Sequence, residues 1–155
     1  MSSHPRVRLG DVVAIPVSGE KTACAQVLVK RKILYVSVFS RLYPDPINVA
    51  DVLSDTPALA GWTMDAKIYH GDWKILGNAS PKYAALAKRK YLVEYEGNIW
   101  VQDLEGKLEH VASRAEADTL FPKSSYSPVR LERAIRAFHG MEPWCSDFDD
   151  LVVHP

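Results

Sequence analysis

Cysteine is almost missing from this 155-residue chain: only Cys24 and Cys145 occur, far apart and outside any C-x-x-C pattern. Zinc-ribbon and thioredoxin-type chemistry are therefore unsupported, since both need thiols paired at short spacing. A 24–145 disulfide stays open, because spacing along the chain says nothing about distance in space. Two reduced thiols are expected, with Cys24 buried in a strand. An excess of either charge is missing too. Nineteen Lys and Arg balance nineteen Asp and Glu, which argues against broad electrostatic attachment to nucleic acid or an anionic membrane. No apolar run approaches the ~20 residues of a membrane span. The opening MSSHPRVRLG lacks the apolar core of a secretory signal. A cytoplasmic protein is the expectation.

Motifs for chemistry are equally scarce. There is no G-x-S-x-G nucleophile elbow, no G-x-x-x-x-G-K-[ST] and no G-x-G-x-x-G. His4, His70, His110, His139 and His154 are scattered, with no i, i+4 pair to hold a metal. His70, close to Asp72, reads as a surface histidine in a turn between strands, and His139 at a helix C-terminus fits the helix dipole. Asp147, Asp149 and Asp150 are the tightest carboxylate cluster, but they lack the Gly and distal Glu of an EF-hand loop. They read as a solvated acidic tail or a partner-facing patch. No catalytic residue, metal or cofactor is assigned.

What the chain does contain is the pattern of a single α+β domain spanning residues 1–155, long enough to bury a sizeable core. Val12–Val17, Thr22–Lys30 and Ile33–Ser40 are β-rich runs joined by short turns, most simply a meander. In the second run Ala23, Ala25, Val27 and Val29 fall on one face and Cys24, Gln26, Leu28 and Lys30 on the other. Asn48–Leu53 suits a short helix or turn. Ala66–His70 reads as a fourth strand and Trp73–Gly77 as a fifth. Tyr91–Tyr95 and Ile99–Gln102 flank Glu96-Gly97-Asn98, a hairpin signal, and Leu108–Val111 follows another turn. A short helix is expected over Arg114–Leu120. A longer one is capped by Ser127, starts at Pro128 and ends at Gly140, with Leu131, Ile135 and Phe138 on one face. The expected fold is an antiparallel meander, either an SH3-like, partly closed barrel or an open twisted sheet, with the C-terminal helix packed on it.

Charge is balanced in total but not along the chain. Residues 1–41 hold seven Lys or Arg against Asp11 and Glu20, whereas residues 42–81 hold Lys67 and Lys74 against five aspartates. Such sign separation suits a protein partner of complementary charge. Aromatics are plentiful, with four Trp and seven Tyr. Trp73 and Trp100 read as core, while Trp62 and Trp144 fall in loop-like stretches near carboxylates, where interface anchors are often found. The candidate partner-binding residues are accordingly Tyr43, Asp45, Trp62, Asp72, Trp144, Asp147, Asp149 and Asp150.

Two stretches resemble a known family. Gly10-Asp11-Val12-Val13-Ala14-Ile15-Pro16, followed by Ala23-Cys24-Ala25-Gln26-Val27-Leu28, resembles the opening of the immunity protein 26 family of bacterial polymorphic toxin systems. His70-Gly71-Asp72-Trp73-Lys74-Ile75-Leu76-Gly77-Asn78-Ala79 resembles its second block, G-x-W-x-[IV]-[IL]-G. Together they cover roughly the first half of the chain. The resemblance implies a cytoplasmic inhibitor that binds a cognate toxin domain and blocks it without catalysis; the pattern designates no toxin-contacting residue. Two alternatives remain. Gly10-Asp11-Val12-Val13 also resembles MazF/PemK-like endoribonuclease toxins, although Lys21-Thr22 stands where that family has Arg-Pro and only Ser40-Arg41 is reminiscent of its catalytic residues. A nucleic-acid-binding SH3-like module is the other.

Overall fold

The computed structural model describes residues 4–83 and 86–154. The chain divides into two compact units, one formed by residues up to Lys82 together with those from Ser125 onward, the other by Tyr83–Ser124. In chain order, the first unit contains β1 (Asp11–Ser18), β2 (Lys21–Lys30), β3 (Leu34–Phe39), α1 (Val49–Leu53), β4 (Pro57–Thr63), α2 (Ala66–Tyr69) and β5 (Lys74–Asn78). The smaller unit follows with β6 (Tyr91–Tyr95), β7 (Asn98–Gln102), β8 (Leu108–Val111) and α3 (Arg114–Thr119). The chain then re-enters the first unit with β9 (Ser125–Tyr126), α4 (Pro128–Phe138) and a 3₁₀ turn over Ser146–Leu151.

The large sheet has the order β5-β1-β2-β3-β4-β9, antiparallel except for the short parallel β4–β9 pair. It is an open sheet with β5 and β9 at its edges, not a closed barrel. The fold is α+β, and α4 packs on the sheet as the Leu131 periodicity predicts.

Both faces of this sheet are buried. One face presents Val13, Ile15, Ala23, Ala25, Val27 and Val36 to Leu131, Ala134 and Ile135 of α4 and to Phe148 and Leu151 of the 3₁₀ turn. The other presents Val12, Cys24 and Phe39 to Tyr43 and to Val52 of α1. Alternation along β2 thus separates two cores, and every residue from Ala23 to Val29 is buried.

Three expectations change. Ala66–His70 is the short helix α2, not a strand. Five residues are too few to separate a period of 2 from one of 3.6, and the helix buries Ile68 while sending Lys67 to Glu132 of α4. The strand β4 has no counterpart in the sequence reading. Its Pro-Ala-Leu-Ala-Gly-Trp-Thr run resembles a breaker segment, yet the proline occupies the first strand position, where its missing N–H is tolerated, and small residues fit a strand buried on both faces. At Gly61 a Cβ would stand 2.4 Å from Leu151 Cδ2. In α4, Phe138 is exposed rather than on the buried stripe. Glu132 is engaged inward, with Nζ of Lys67 donating to it at 2.7 Å and Nε1 of Trp73 at 3.0 Å, and Arg136 meets Glu142.

In the smaller unit, β6 and β7 form the expected hairpin around Glu96 and Gly97, both with positive φ (50° and 78°), as a primed two-residue turn requires. Leu86, Leu92, Val101 and Leu104 are buried there. A reciprocal Ser113–Glu116 capping box starts α3.

The Gly10-Asp11 run and the Gly77-Asn78-Ala79 run meet in space. β1 pairs with β5 so that Asp11 faces Asn78. The Asp11 carboxylate accepts from the Arg8 N–H at 2.7 Å and from Asn78 Nδ2 at 2.9 Å, and Ala79 N–H donates to the Gly10 carbonyl at 3.1 Å. Gly10 has φ +87°, and a Cβ there would lie 2.2 Å from the Ala79 carbonyl oxygen. Gly10→Ala should therefore destabilise the protein by roughly 2–4 kcal/mol in urea unfolding, combining left-handed strain with overpacking. Gly19→Ala, with φ +50° and nothing within 4 Å, should cost only about 1–2 kcal/mol. Equal losses would show that the close approach to Ala79 is immaterial.

Candidate functional site

The second face of the sheet has no long helix to cover it, so its cover is assembled from the chain between β3 and β4 and the segment after β5. A single carboxylate organises the first of these. Asp55 is 8% exposed and accepts from Ser40 Oγ (2.7 Å), the Arg41 N–H (2.9 Å), Tyr43 Oη (2.6 Å) and the Thr56 N–H (2.7 Å). Arg41 Nε adds an ion pair at 3.5 Å from a side chain 58% exposed. Burial alone would raise the Asp55 pKa, but the hydrogen bonds from Tyr43, Ser40 and the two backbone amides outweigh it and hold the carboxyl down at about 2. Burial, then the same carboxylate, push the Tyr43 phenol upward. Burial also lifts the Cys24 thiol to about 12, so this fully buried residue is held as the unreactive thiol. Cys24 and Cys145 are both free; Cys24 is buried in β2, as expected, and Cys145 is exposed.

The segment after β5 is fastened by Gln26. Its Nε2 donates to the carbonyls of Gly10, Ala79 and Ser80 at 3.2–3.3 Å, and its Oε1 accepts from the Lys82 N–H at 3.1 Å. Lys82 Nζ in turn donates to the carbonyls of Leu53 and Asp55. A buried amide with four partners locks this cover onto β2.

Toward the β1–β2 turn the cover ends, and an open cleft of about 970 Å³ remains. Ala14 and Pro16 of β1 and Leu76 of β5 contribute its apolar lining, with Leu42 and Ile47 of the β3–α1 segment. Glu20, Asp45 and Asp72 supply three carboxylates and Lys21 and Lys74 two ammonium groups. Tyr43 borders the cleft but is itself fixed. It is 6% exposed, its N–H donates to the Thr22 carbonyl at 2.8 Å, and its hydroxyl is held by Asp55. The lining offers shape, apolar surface and charge of both signs on a floor of regular strands.

The structure sorts the candidate partner residues into two groups on opposite faces of the sheet. Tyr43, Asp45 and Asp72 converge on the cleft. Trp144, Asp147, Asp149 and Asp150 belong to the C-terminal segment on the α4 face. Trp62 corrects an expectation: it is not a loop residue but part of β4, 2% exposed, its ring edge-to-face with Tyr35 at 4.8 Å. The acidic run forms a docked 3₁₀ turn with Phe148 and Leu151 buried and Asp147 and Asp149 exposed; Asp149 accepts from Trp144 Nε1 at 2.8 Å and Asp150 accepts from Tyr126 Oη. These carboxylates fasten the C-terminus.

The remaining polar candidates are structural in their contacts. Ser40 and Arg41 both point to Asp55. His70 is exposed at the end of α2, its ring 5.1 Å from Tyr69, on which His4 stacks at 4.1 Å. His139 caps α4, but burial and then Lys21 lower its pKa, opposite to the gain expected from the dipole. Among the described residues no cluster of His, Cys, Asp and Glu could hold a metal ion, and no helix is long and apolar enough to cross a membrane. Sequence reasoning missed Glu20, Lys21, Lys74 and Leu76 as cleft residues and Asp55 as the hub, because nothing local marks them. No family model, curated protein or solved structure significantly matches the chain.

The Asp55 hub predicts a defined acid dependence. Its carboxyl falls from 3.8 to about 2 on folding. The folded state therefore gains about 2 kcal/mol that is present above pH ~4 and lost as pH falls through about 2. Asp55→Asn should remove about that much stability at pH 7 and flatten the wild-type decline between pH 4 and 2 in denaturant titrations. A parallel decline in both proteins would assign the acid sensitivity to other groups.

Proposed function

We propose that this chain is a non-catalytic inhibitor that binds a toxin protein domain through the surface around the β1–β5 cleft, as an immunity protein does. The observation that carries the reading is the cleft itself: apolar floor, mixed charged rim and strand-borne side chains, the make-up of a protein-recognition surface. The resemblance of Gly10–Leu28 and His70–Ala79 to the immunity protein 26 family supports the same reading and supplies the class of partner. Inhibition by occupying a surface requires complementarity in shape and charge, not a nucleophile or base. The endoribonuclease alternative draws less support. The Ser40 hydroxyl donates to Asp55 and the Arg41 guanidinium leans on the same carboxylate, so both are engaged in holding the β3–β4 connection.

The test is co-expression with the toxin domain encoded beside this chain's gene. The expected outcome is a co-purifying complex and restored growth of the producing cells. Asp45→Lys combined with Asp72→Lys should weaken the complex by ~10-fold or more, mainly by slowing association. Loss of RNA integrity on adding the purified protein, abolished by Arg41→Ala, would overturn the reading in favour of the nuclease.

A further inference from the structure

The cleft is continuous with an open sheet edge. β5 is the terminal strand of the large sheet, bonded to β1 on one side, and among the described residues no strand pairs with its other side. Unpaired strand edges present rows of backbone donors and acceptors, and proteins ordinarily blunt them with proline, charge, bulges or a covering element. Between Trp73 and Asn78 there is no proline; the edge carries one lysine, Lys74, and one bulge at Leu76 opposite Val12 and Val13, and is otherwise uncharged. Ile75 turns to the α4 core, whereas Leu76 packs toward the Tyr43 cluster and lines the cleft beside Lys74. Val49 covers the strand at Gly77, 3.4 Å from where a Cβ would stand. The cover thus stops where the cleft begins. The opposite edge, β9, is only two residues long, with Tyr126 buried.

We propose that an extended segment of the protein partner adds to this edge as a further strand beside β5. Alternate side chains of that segment enter the cleft over Leu76 and Ala14, and basic residues on it meet Asp45 and Asp72. This rests on the reading that the partner is a protein, and it names how that partner is held. Main-chain hydrogen bonds supply the attachment and the cleft the side-chain preference, the division of labour in strand addition. The preference for basic residues follows from the rim, where Glu20, Asp45 and Asp72 outnumber Lys21 and Lys74. The edge is preorganised because Trp73, immediately before β5, is 1% exposed and tied through Nε1 to Glu132, so little ordering is lost on binding.

The test uses the full-length ¹⁵N-labelled protein and four blocked seven-residue peptides: alternating valine and lysine, two versions of it with alternate backbone nitrogens methylated along one edge or the other, and alternating valine and glutamate. The valine–lysine peptide should shift and protect the amides of β5 and perturb the Leu76 and Leu42 methyl signals. Methylation of the pairing edge should weaken binding by ~10-fold or more, since each lost hydrogen bond strands a partner. The glutamate peptide should bind several-fold more weakly, and Asp45→Asn with Asp72→Asn should close that gap. The proposal is overturned by shifts confined to other elements, by equal binding of the methylated peptides, or by no shift at millimolar peptide. Hydrogen exchange on the toxin-domain complex separates the two readings. A complex that leaves β5 unprotected removes strand addition and keeps the inhibitor function. Peptide addition at β5 without any toxin complex keeps strand addition and removes that function.

Discussion

The central strands of the large sheet are apolar on both faces, and every other part of the larger unit answers to that constraint. A strand such as β2, buried from Ala23 to Val29, is stable only if each face finds a cover, because exposed apolar area costs about 25 cal/mol per Å². One face receives an amphipathic helix, which supplies a continuous stripe through Leu131, Ala134 and Ile135. The other receives irregular chain. Irregular chain carries backbone groups that must be satisfied locally, and this explains two of the buried polar residues of this layer. Asp55 collects two backbone N–H groups and two hydroxyls of the β3–β4 connection; Gln26 binds four backbone groups around the segment after β5. The cleft is the consequence: a cover built from loops reaches only as far as its anchors.

The same logic explains why the residues carrying the family resemblance contribute to folding before they contribute to function. Gly10 permits a backbone approach that a side chain would block, Asp11 and Asn78 bridge the start of β1 to the end of β5, and Trp73 fills the α4 core. Separated by some sixty positions in sequence, the two blocks are one joint in space. That joint places β5 at the sheet edge and so sets one wall of the cleft. The cleft's charged residues, Glu20, Lys21, Asp45, Asp72 and Lys74, take no part in the hydrogen bonds that close this joint.

Much of the architecture was legible in the sequence, because it rests on local signals. The three-strand meander follows from alternation and turn residues, α4 from Ser127, Pro128 and Gly140, and the β6–β7 hairpin from Glu96-Gly97. What was not legible depends on tertiary context. β4 hides in small residues and a proline because its packing against Leu151 and β3 demands small side chains, and α2 is too short for its period to show. Trp62 is misplaced in the sequence reading because composition cannot distinguish an aromatic residue buried in a strand from one offered outward. Of the residues lining the cleft, Asp45 and Asp72 stand out in the sequence through local charge asymmetry, and Tyr43 as an aromatic in the same stretch. Their convergence with Leu76 and Lys74 arises only from β1–β5 pairing, a contact between segments about sixty residues apart that no local pattern reports.

The division of the acidic residues bears directly on what the molecule can recognise. Asp149 and Asp150 accept hydrogen bonds from Trp144 and Tyr126, and Arg130 lies 4.4 Å above the Tyr126 ring, so a partner using them would have to compete with contacts that fasten the C-terminal turn. Asp55 is buried and fully coordinated. Asp45 and Asp72 have no such engagement: both are exposed and both border a cleft with apolar surface beneath. Exposed carboxylates around an apolar floor contribute to association rate and partner choice, while the floor and the adjacent backbone edge contribute to residence time. A surface organised in this way can combine fast capture with slow release, the kinetic combination that the proposed inhibitor role would require.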